Sequence, residues 1–375
     1  RLMKYLFIVQ GEGRGHLTQA IALEEILRNS GHEVVEVLVG KSRSRRLPSF
    51  FSRHIHAPVH RFESPNFLPT ASNKRNRLGR SVAYNVARLP VYLRSMRFIR
   101  EHIVRSGADM VINFYELLTG LTYALYPIRT PQICIGHQYL FLHKDFHLPW
   151  KNAPRLWLLN FFTRLTCVGA RKKLALSFRP MEEDAHGGIR VVPPLLRKEV
   201  LRSESVPGDY VHGYMVNSGF AESVTAWHAA HPEVPLRFFW DKKGETDVRR
   251  VDSTLSFYPL DDTEFLRQMS GCRAYASTAG FESICEAMFL GKPVLMVPAH
   301  IEQDCNAFDA ASNGAGIVAD RFELDRLLDF ADRYEPDPSF RIWVESAPYI
   351  IRHALDPDVY RRPSADHMYM VEEFT

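Results

Sequence analysis

Between Ser277 and Glu286 the chain reads Ser-Thr-Ala-Gly-Phe-Glu-Ser-Ile-Cys-Glu, followed by Gly291-Lys292-Pro293 and Glu302-Gln303-x-x-Asn306-Ala307. These residue types at this spacing suit a diphosphate joined to sugars. A helix that opens behind a glycine, just after a strand, leaves backbone N–H groups unpaired and turns its positive dipole end toward an anion. Thr278, Gly280 and Ser283 stand at that turn, with the two hydroxyls as added donors. Glu286 lies one turn further on, where it could accept from a pair of ribose hydroxyls. Glu302 and Gln303 lie beyond it, for a second sugar. A second group is Gly11-x-Gly13-x-Gly15-His16, a glycine loop ending in an imidazole.

Each group needs a strand, a tight turn and a helix to hold it. The first pattern predicts a strand over 273–277, a helix over 281–290, a strand over 293–297 and then a polar loop. The second predicts a strand over 4–9, a helix over 16–29 and a strand over 33–39, a βαβ opening of a parallel sheet. Further strands are expected over 109–114, 132–136, 174–178 and 190–192, with a helix near 117–126. Pro193-Pro194 and Glu204-Ser-Val-Pro-Gly208 are breakers where a linker should fall. A second α/β series restarts at Asp209: strands over 210–216, 236–240 and 254–258, and helices over 218–230, 262–269, 323–333 and 340–355. The fold class is therefore α/β, two facing Rossmann-like domains with an interdomain cleft. Residues 1–204 form the first, 205–355 the second, and 356–375 a terminal segment.

At 375 residues the chain can build two cores, and its 46% hydrophobic and 24% charged content is ordinary for a globular protein. No apolar run is long enough to span a membrane. Residues 2–9 are too short for a signal peptide, and Met3 reads as a natural start. The five cysteines (134, 167, 272, 285, 305) are scattered, and read as reduced core thiols of a cytoplasmic protein. The net charge of +4 hides an asymmetry: residues 41–105 hold 15 Lys or Arg against Glu63 and Glu101, and the chain after 105 is net acidic. The apolar residues from Tyr84 to Ile99 follow the densest basic clusters. A basic, amphipathic segment over 41–100 suits an anionic membrane surface, and a solvated helix face is the alternative. No nucleic-acid motif accompanies the charge. His54, His56 and His60 bracket a proline without a ligand-like partner, so no metal site is expected.

The Gly11 loop alone also suits a dinucleotide, but His16 rather than Gly or Ala starts its helix, and no acidic residue ends the second strand. The two patterns together resemble GT-B glycosyltransferases that use nucleotide sugars, namely the UDP-glycosyltransferases and family 28. Family 28 includes the enzyme making the lipid-linked peptidoglycan disaccharide. The resemblance implies that Thr278, Gly280 and Ser283 hold the diphosphate, Glu286 the ribose, and Glu302 with Gln303 the donor sugar. Thr278 replaces the His of the plant-type signature and Phe281-Glu282 its Trp-Asn, substitutions that favour the looser family 28 branch. It implies further that Phe257, in Phe257-Tyr258-Pro259, stacks on uracil; a buried strand aromatic is the equal alternative. Ser218, after the first strand of the second domain, could touch diphosphate or acceptor, or simply belong to a turn.

In UDP-glycosyltransferases the histidine matching His16 is the base that deprotonates the acceptor hydroxyl; in family 28 it orients substrate. A neutral imidazole can take that proton as the acceptor attacks the anomeric carbon. A helix-cap histidine touching phosphate is the other reading. Glu116 follows the strand 109–114 at its carboxyl edge, where the resemblance places an acidic partner for the histidine; a helix-capping glutamate is the alternative. The expected activity is inverting transfer from a UDP-sugar, as co-substrate without other cofactor or metal, to a lipid-linked or saccharide hydroxyl. The terminal segment is expected to cross back to the first domain. The rival readings are a UDP-sugar 2-epimerase-like enzyme and a non-catalytic, partner-binding subunit.

Overall fold

The computed structural model describes residues 1–43, 46–66, 83–150, 153–216, 218–242, 244–278 and 280–357. The first domain holds β1 (Lys4–Gln10), β2 (Glu33–Lys41), β3 (Val59–Glu63), β4 (Met110–Phe114), β5 (Gln132–Gly136), β6 (Lys172–Leu176) and β7 (Ile189–Val192). All run parallel, in the order β3-β2-β1-β4-β5-β6-β7. The second domain holds β8 (Val211–Met215), β9 (Leu236–Trp240), β10 (Arg249–Arg250), β11 (Leu255–Pro259), β12 (Ala274–Ser277), β13 (Val294–Met296) and β14 (Gly316–Val318). Its order is β10-β11-β9-β8-β12-β13-β14, with only β10 antiparallel.

Helices cover both faces of each sheet, so the central strands are apolar on both sides rather than alternating. Leu6, Phe7, Ile8 and Val9 of β1 are wholly buried, as are Ile133, Cys134 and Ile135 of β5. This is the expected α/β architecture of two facing domains. In each sheet the strand order reverses once at the centre, between β1 and β4 and between β8 and β12. At such a switch point the following loops diverge and leave a crevice at the carboxyl edge, where ligands bind in open sheets. The Gly11 loop follows β1, and the Thr278 turn follows β12.

Several elements differ from expectation. The polar stretch after β13 is not a loop: it forms the helix Ile301–Ser312, so Glu302 and Gln303 sit in a first helical turn. The single helix expected over 340–355 is two, Pro338–Glu345 and Ala347–Leu355. Pro348 has no N–H to continue the ladder, and stands in the second helix's first turn instead. These helices already return to the first domain: Trp343 Nε1 donates to the Ser177 carbonyl at 2.9 Å and Arg352 Nη1 to Ser30 Oγ at 3.3 Å. The crossing thus begins before the expected boundary at 356, and most of the 356–375 segment lies outside the described residues.

The helix Leu89–Ser106 buries Tyr92, Met96, Ile99 and Ile103 against the first sheet. Its apolar stripe therefore belongs to the core, and Arg94, Arg97, Arg100 and Arg105 face outward. Leu89 and Leu93 on the same helix, with Tyr84 and Val86 just before it, remain exposed. The cluster at Lys74, Arg75, Arg77 and Arg80 lies outside the described residues. Among the described residues no helix is long and apolar enough to cross a membrane. The five cysteines are free and buried.

Candidate functional site

Gly11 is needed where it stands. A Cβ there would meet Val39 Cγ1 at 2.5 Å and the Gly40 carbonyl at 3.1 Å, and its N–H donates to that carbonyl at 2.8 Å. The chain then turns at Gly13 into the helix Arg14–Asn29, which has no side-chain cap and no acidic residue in its first turn. The first N–H groups are left for a ligand or water. His16 is in this first turn, its ring stacked on Tyr115 at 5.5 Å between centroids and 23° between planes. Tyr115, just after β4, is the one non-glycine residue with positive φ among those described, at 59°. Its hydroxyl is fixed by Thr163 Oγ1 at 2.6 Å. A left-handed tyrosine stores backbone strain, a feature found disproportionately at functional sites.

Two glutamines hold His16. Nδ1 lies 3.3 Å from Gln19 Oε1, and Nε2 lies 3.4 Å from Gln138 Nε2. An amide oxygen only accepts and an amide nitrogen only donates, so this network assigns the proton to Nδ1 and the lone pair to Nε2. Burial lowers the imidazole pKa to about 4, against a weaker opposing effect of Gln19, so the ring is neutral at neutral pH. It is in the form a base requires.

In the second domain Thr278 follows β12, and Gly280 caps the helix Phe281–Phe289 without a side-chain bond. Thr278 is 1% exposed, and its Oγ1 has no partner among the described residues. A buried hydroxyl left unpaired at an uncapped helix N-terminus points to a missing acceptor, such as a phosphate oxygen. Ser283 Oγ donates back to the Gly280 carbonyl at 3.3 Å. Glu286 is buried and faces Arg197, whose Nε lies 3.3 Å from Oε1; burial raises the Glu286 pKa and Arg197 opposes it. Glu302 accepts from Gln138 Nε2 at 3.0 Å, and burial raises its pKa too. Gln303 Oε1 takes the Ala299 N–H at 2.7 Å. Ser218 opens a short 3-10 turn beyond β8, at the same carboxyl edge as Thr278.

Two expected roles do not fit. Glu116 is wholly buried and caps its own helix: Oε2 accepts from the Thr119 N–H at 2.8 Å and hydroxyl at 2.7 Å, and Oε1 from Ser64 at 2.5 Å. With both oxygens committed, it is not the partner of His16. Phe257 is 2% exposed, its face covered by the Trp240 ring at 4.5 Å and 10°, so it packs the second core and offers no surface to a base.

The domains meet through further residues, to which the sequence assigns no contact across the cleft. Gln19 Nε2 donates to Glu282 Oε1 at 2.7 Å, Arg14 pairs with Asp262, and His137 stacks on Phe281 at 3.9 Å and 13°. Gln19 had one available signal, its i+3 spacing from His16 on the same helix face. Gln138 and Arg197 had none, because their partners are 164 and 89 residues away. His54, His56 and His60 each lie beside a different glutamate, Glu199, Glu24 and Glu36. Among the described residues no three His, Cys, Asp or Glu are grouped to hold a metal ion.

A family model described as glycosyl transferase family 1 matches residues 3–334. No curated protein sequence matches significantly. Solved structures similar in fold include UGT89C1 of Arabidopsis thaliana complexed with UDP-L-rhamnose, at TM-score 0.60 and 15% identity, covering 96% of each chain. The glycotransferase of kitacinnamycin aligns at TM-score 0.59 and 16% identity, covering 95% of this chain and all of the other. LpCGTa in complex with UDP aligns at TM-score 0.55 and 16% identity, covering 95% of this chain and 96% of its own.

Proposed function

The chain belongs to glycosyl transferase family 1, and from that premise we propose that this GT-B glycosyltransferase moves a sugar from a UDP-sugar, with inversion, to an acceptor hydroxyl. One observation carries the reading: the uncapped helix at Gly280, with the unpaired Thr278 hydroxyl behind it, lies across the cleft from a neutral, amide-held His16. In this reading Thr278, Gly280 and Ser283 bind the diphosphate. Glu286 takes the ribose hydroxyls, with Arg197 offsetting its buried charge. Glu302 and Gln303 take the sugar.

His16 Nε2 accepts the acceptor's proton as its oxygen attacks the anomeric carbon, and the diphosphate departs into the helix N-terminus, which stabilises its charge without a metal. The alternative for His16 is to orient the acceptor without taking its proton. The acceptor is a saccharide or lipid-linked hydroxyl on the first-domain side. The outward Arg94, Arg97, Arg100 and Arg105 give that domain a cationic face for an anionic surface. A helix N-terminus suits the phosphates of any nucleotide, so selectivity is the test. Calorimetric titration with UDP, TDP, GDP and NAD, repeated with Glu286→Ala, should show UDP binding that the substitution abolishes. Binding of NAD alone would reject the transferase reading.

A further inference from the structure

The two glycine turns converge on Glu282. A Cβ on Gly15 would lie 3.3 Å from Glu282 Cγ, so the side chain packs directly on the first turn of the helix Arg14–Asn29. Gln19 Nε2 donates to Oε1 at 2.7 Å. The other oxygen, Oε2, is buried with no hydrogen-bond partner among the described residues. Thr278 Oγ1, at the turn just before Glu282's helix, is buried and unpaired in the same way. Both helices that meet here begin at a glycine without a side-chain cap. Open polar atoms and two free helix N-termini thus surround one place, the place assigned above to the donor's diphosphate.

We propose that Glu282 is a donor-binding residue that acts as the neutral acid, its Oε2–H donating to a diphosphate oxygen. The inference rests on the UDP-sugar reading and deepens it. A carboxylate beside a diphosphate would repel it, whereas a carboxylic acid is a donor to it. The surroundings favour the acid. Burial is the main cause, with the like charge of Glu286 one turn along adding to it. The Gln19 hydrogen bond and Arg197 act in the other direction, and the carboxyl is held at about 8.

The charged groups facing it are few. From its own helix there is Glu286, held by Arg197 from the segment after β7. From the facing helix there are His16, neutral, and Arg14, which is paired with Asp262 of the helix Asp262–Ser270. A neutral acid kept as a hydrogen-bond donor by an apolar or enclosed site is a known enzymatic device.

The test is titration of the whole chain with UDP between about pH 6 and about pH 9, for the wild type, Glu282→Gln and Glu282→Ala. Glutamine keeps a donor N–H but cannot ionise. Wild-type affinity should be level near neutrality and fall by up to about tenfold per pH unit above the carboxyl's pKa. E282Q should bind within about threefold of wild type at pH 7 without that fall, and E282A about tenfold more weakly. Gln19→Leu removes a bond that favours the ionised form, so it should move the fall to higher pH.

Melting curves recorded alongside identify any variant that has unfolded, and Q19L then stands as the independent variant. If E282Q follows the wild-type fall, or E282A binds UDP more tightly, the proposal is overturned while the UDP reading stands. If the wild type binds no UDP at any pH, both are overturned.

Discussion

Gln138 donates across the domain boundary to Glu302, Nε2 to Oε1 at 3.0 Å, and the same nitrogen lies 3.4 Å from His16 Nε2. One amide thus touches the base candidate of the first domain and the sugar-binding candidate of the second. Replacing it with leucine keeps the buried volume but removes both donors. Gln138→Leu should lower turnover by roughly tenfold or more, with UDP affinity little changed, because the residues proposed for the diphosphate and ribose are elsewhere. Steady-state kinetics beside UDP titration checks this; an equal loss in both would mean Gln138 acts through the fold instead.

His16 gives a sharper prediction. As the base it should be indispensable, so His16→Ala should lose about 100- to 10,000-fold in turnover while still binding UDP. Its pKa of about 4, lowered by burial, also fixes the pH profile. A base works in its neutral form, so the rate should rise through about pH 4 and be level by pH 6. A limb centred on the ordinary histidine value would mean the ring is solvated during catalysis.

How much of this was legible in the sequence depended on distance along the chain. The strands β5 and β9 were bounded to the residue, because a short apolar run between breakers fixes a buried strand. β14 escaped notice because Gly316–Val318 is three residues long. The helix Ile301–Ser312 was missed because its first turn, Ile-Glu-Gln-Asp, is polar where it faces the cleft. The glycine turns and His16 were legible as local patterns. Glu116 was misassigned for a physical reason: a glutamate just after a strand serves equally as a cap, and only Ser64 and Thr119, brought in by the fold, decide it. Phe257 was ambiguous because a strand covered on both faces has no outward side for an aromatic to occupy.

A buried histidine away from the cleft links stability to pH. His212 in β8 is wholly buried, stacked on Tyr275 at 5.1 Å, and neither ring nitrogen has a partner among the described residues. Burial lowers its pKa from 6.5 to about 3. The folded state therefore resists protonating it, and its contribution is complete above pH 6.5 and lost as pH falls toward 3. His212→Phe removes this group. At pH 5 the variant's stability relative to its own value at pH 7.5 should exceed the wild type's by about 2 kcal/mol. Urea unfolding at the two pH values measures it, and parallel pH dependences would show the ring to be solvated.

Gly120 tests the wall behind His16. The helices Leu117–Leu125 and Pro154–Thr166 touch there so closely that a Cβ would lie 2.2 Å from the Leu165 carbonyl and 2.6 Å from that of Thr166. Both obstacles are backbone, so no rotamer change can relieve them, and the two helices must separate. Overpacking of this kind costs about 1–3 kcal/mol, which Gly120→Ala should show in denaturant unfolding. The shift should reach the site as well, since Tyr115 is anchored by Thr163 of the second helix and carries the His16 ring. Turnover should therefore fall even where the variant is fully folded, while UDP affinity, whose proposed contacts lie mainly in the second domain, should hold. A variant that loses stability with undiminished turnover would show that the Tyr115 platform does not depend on this helix contact.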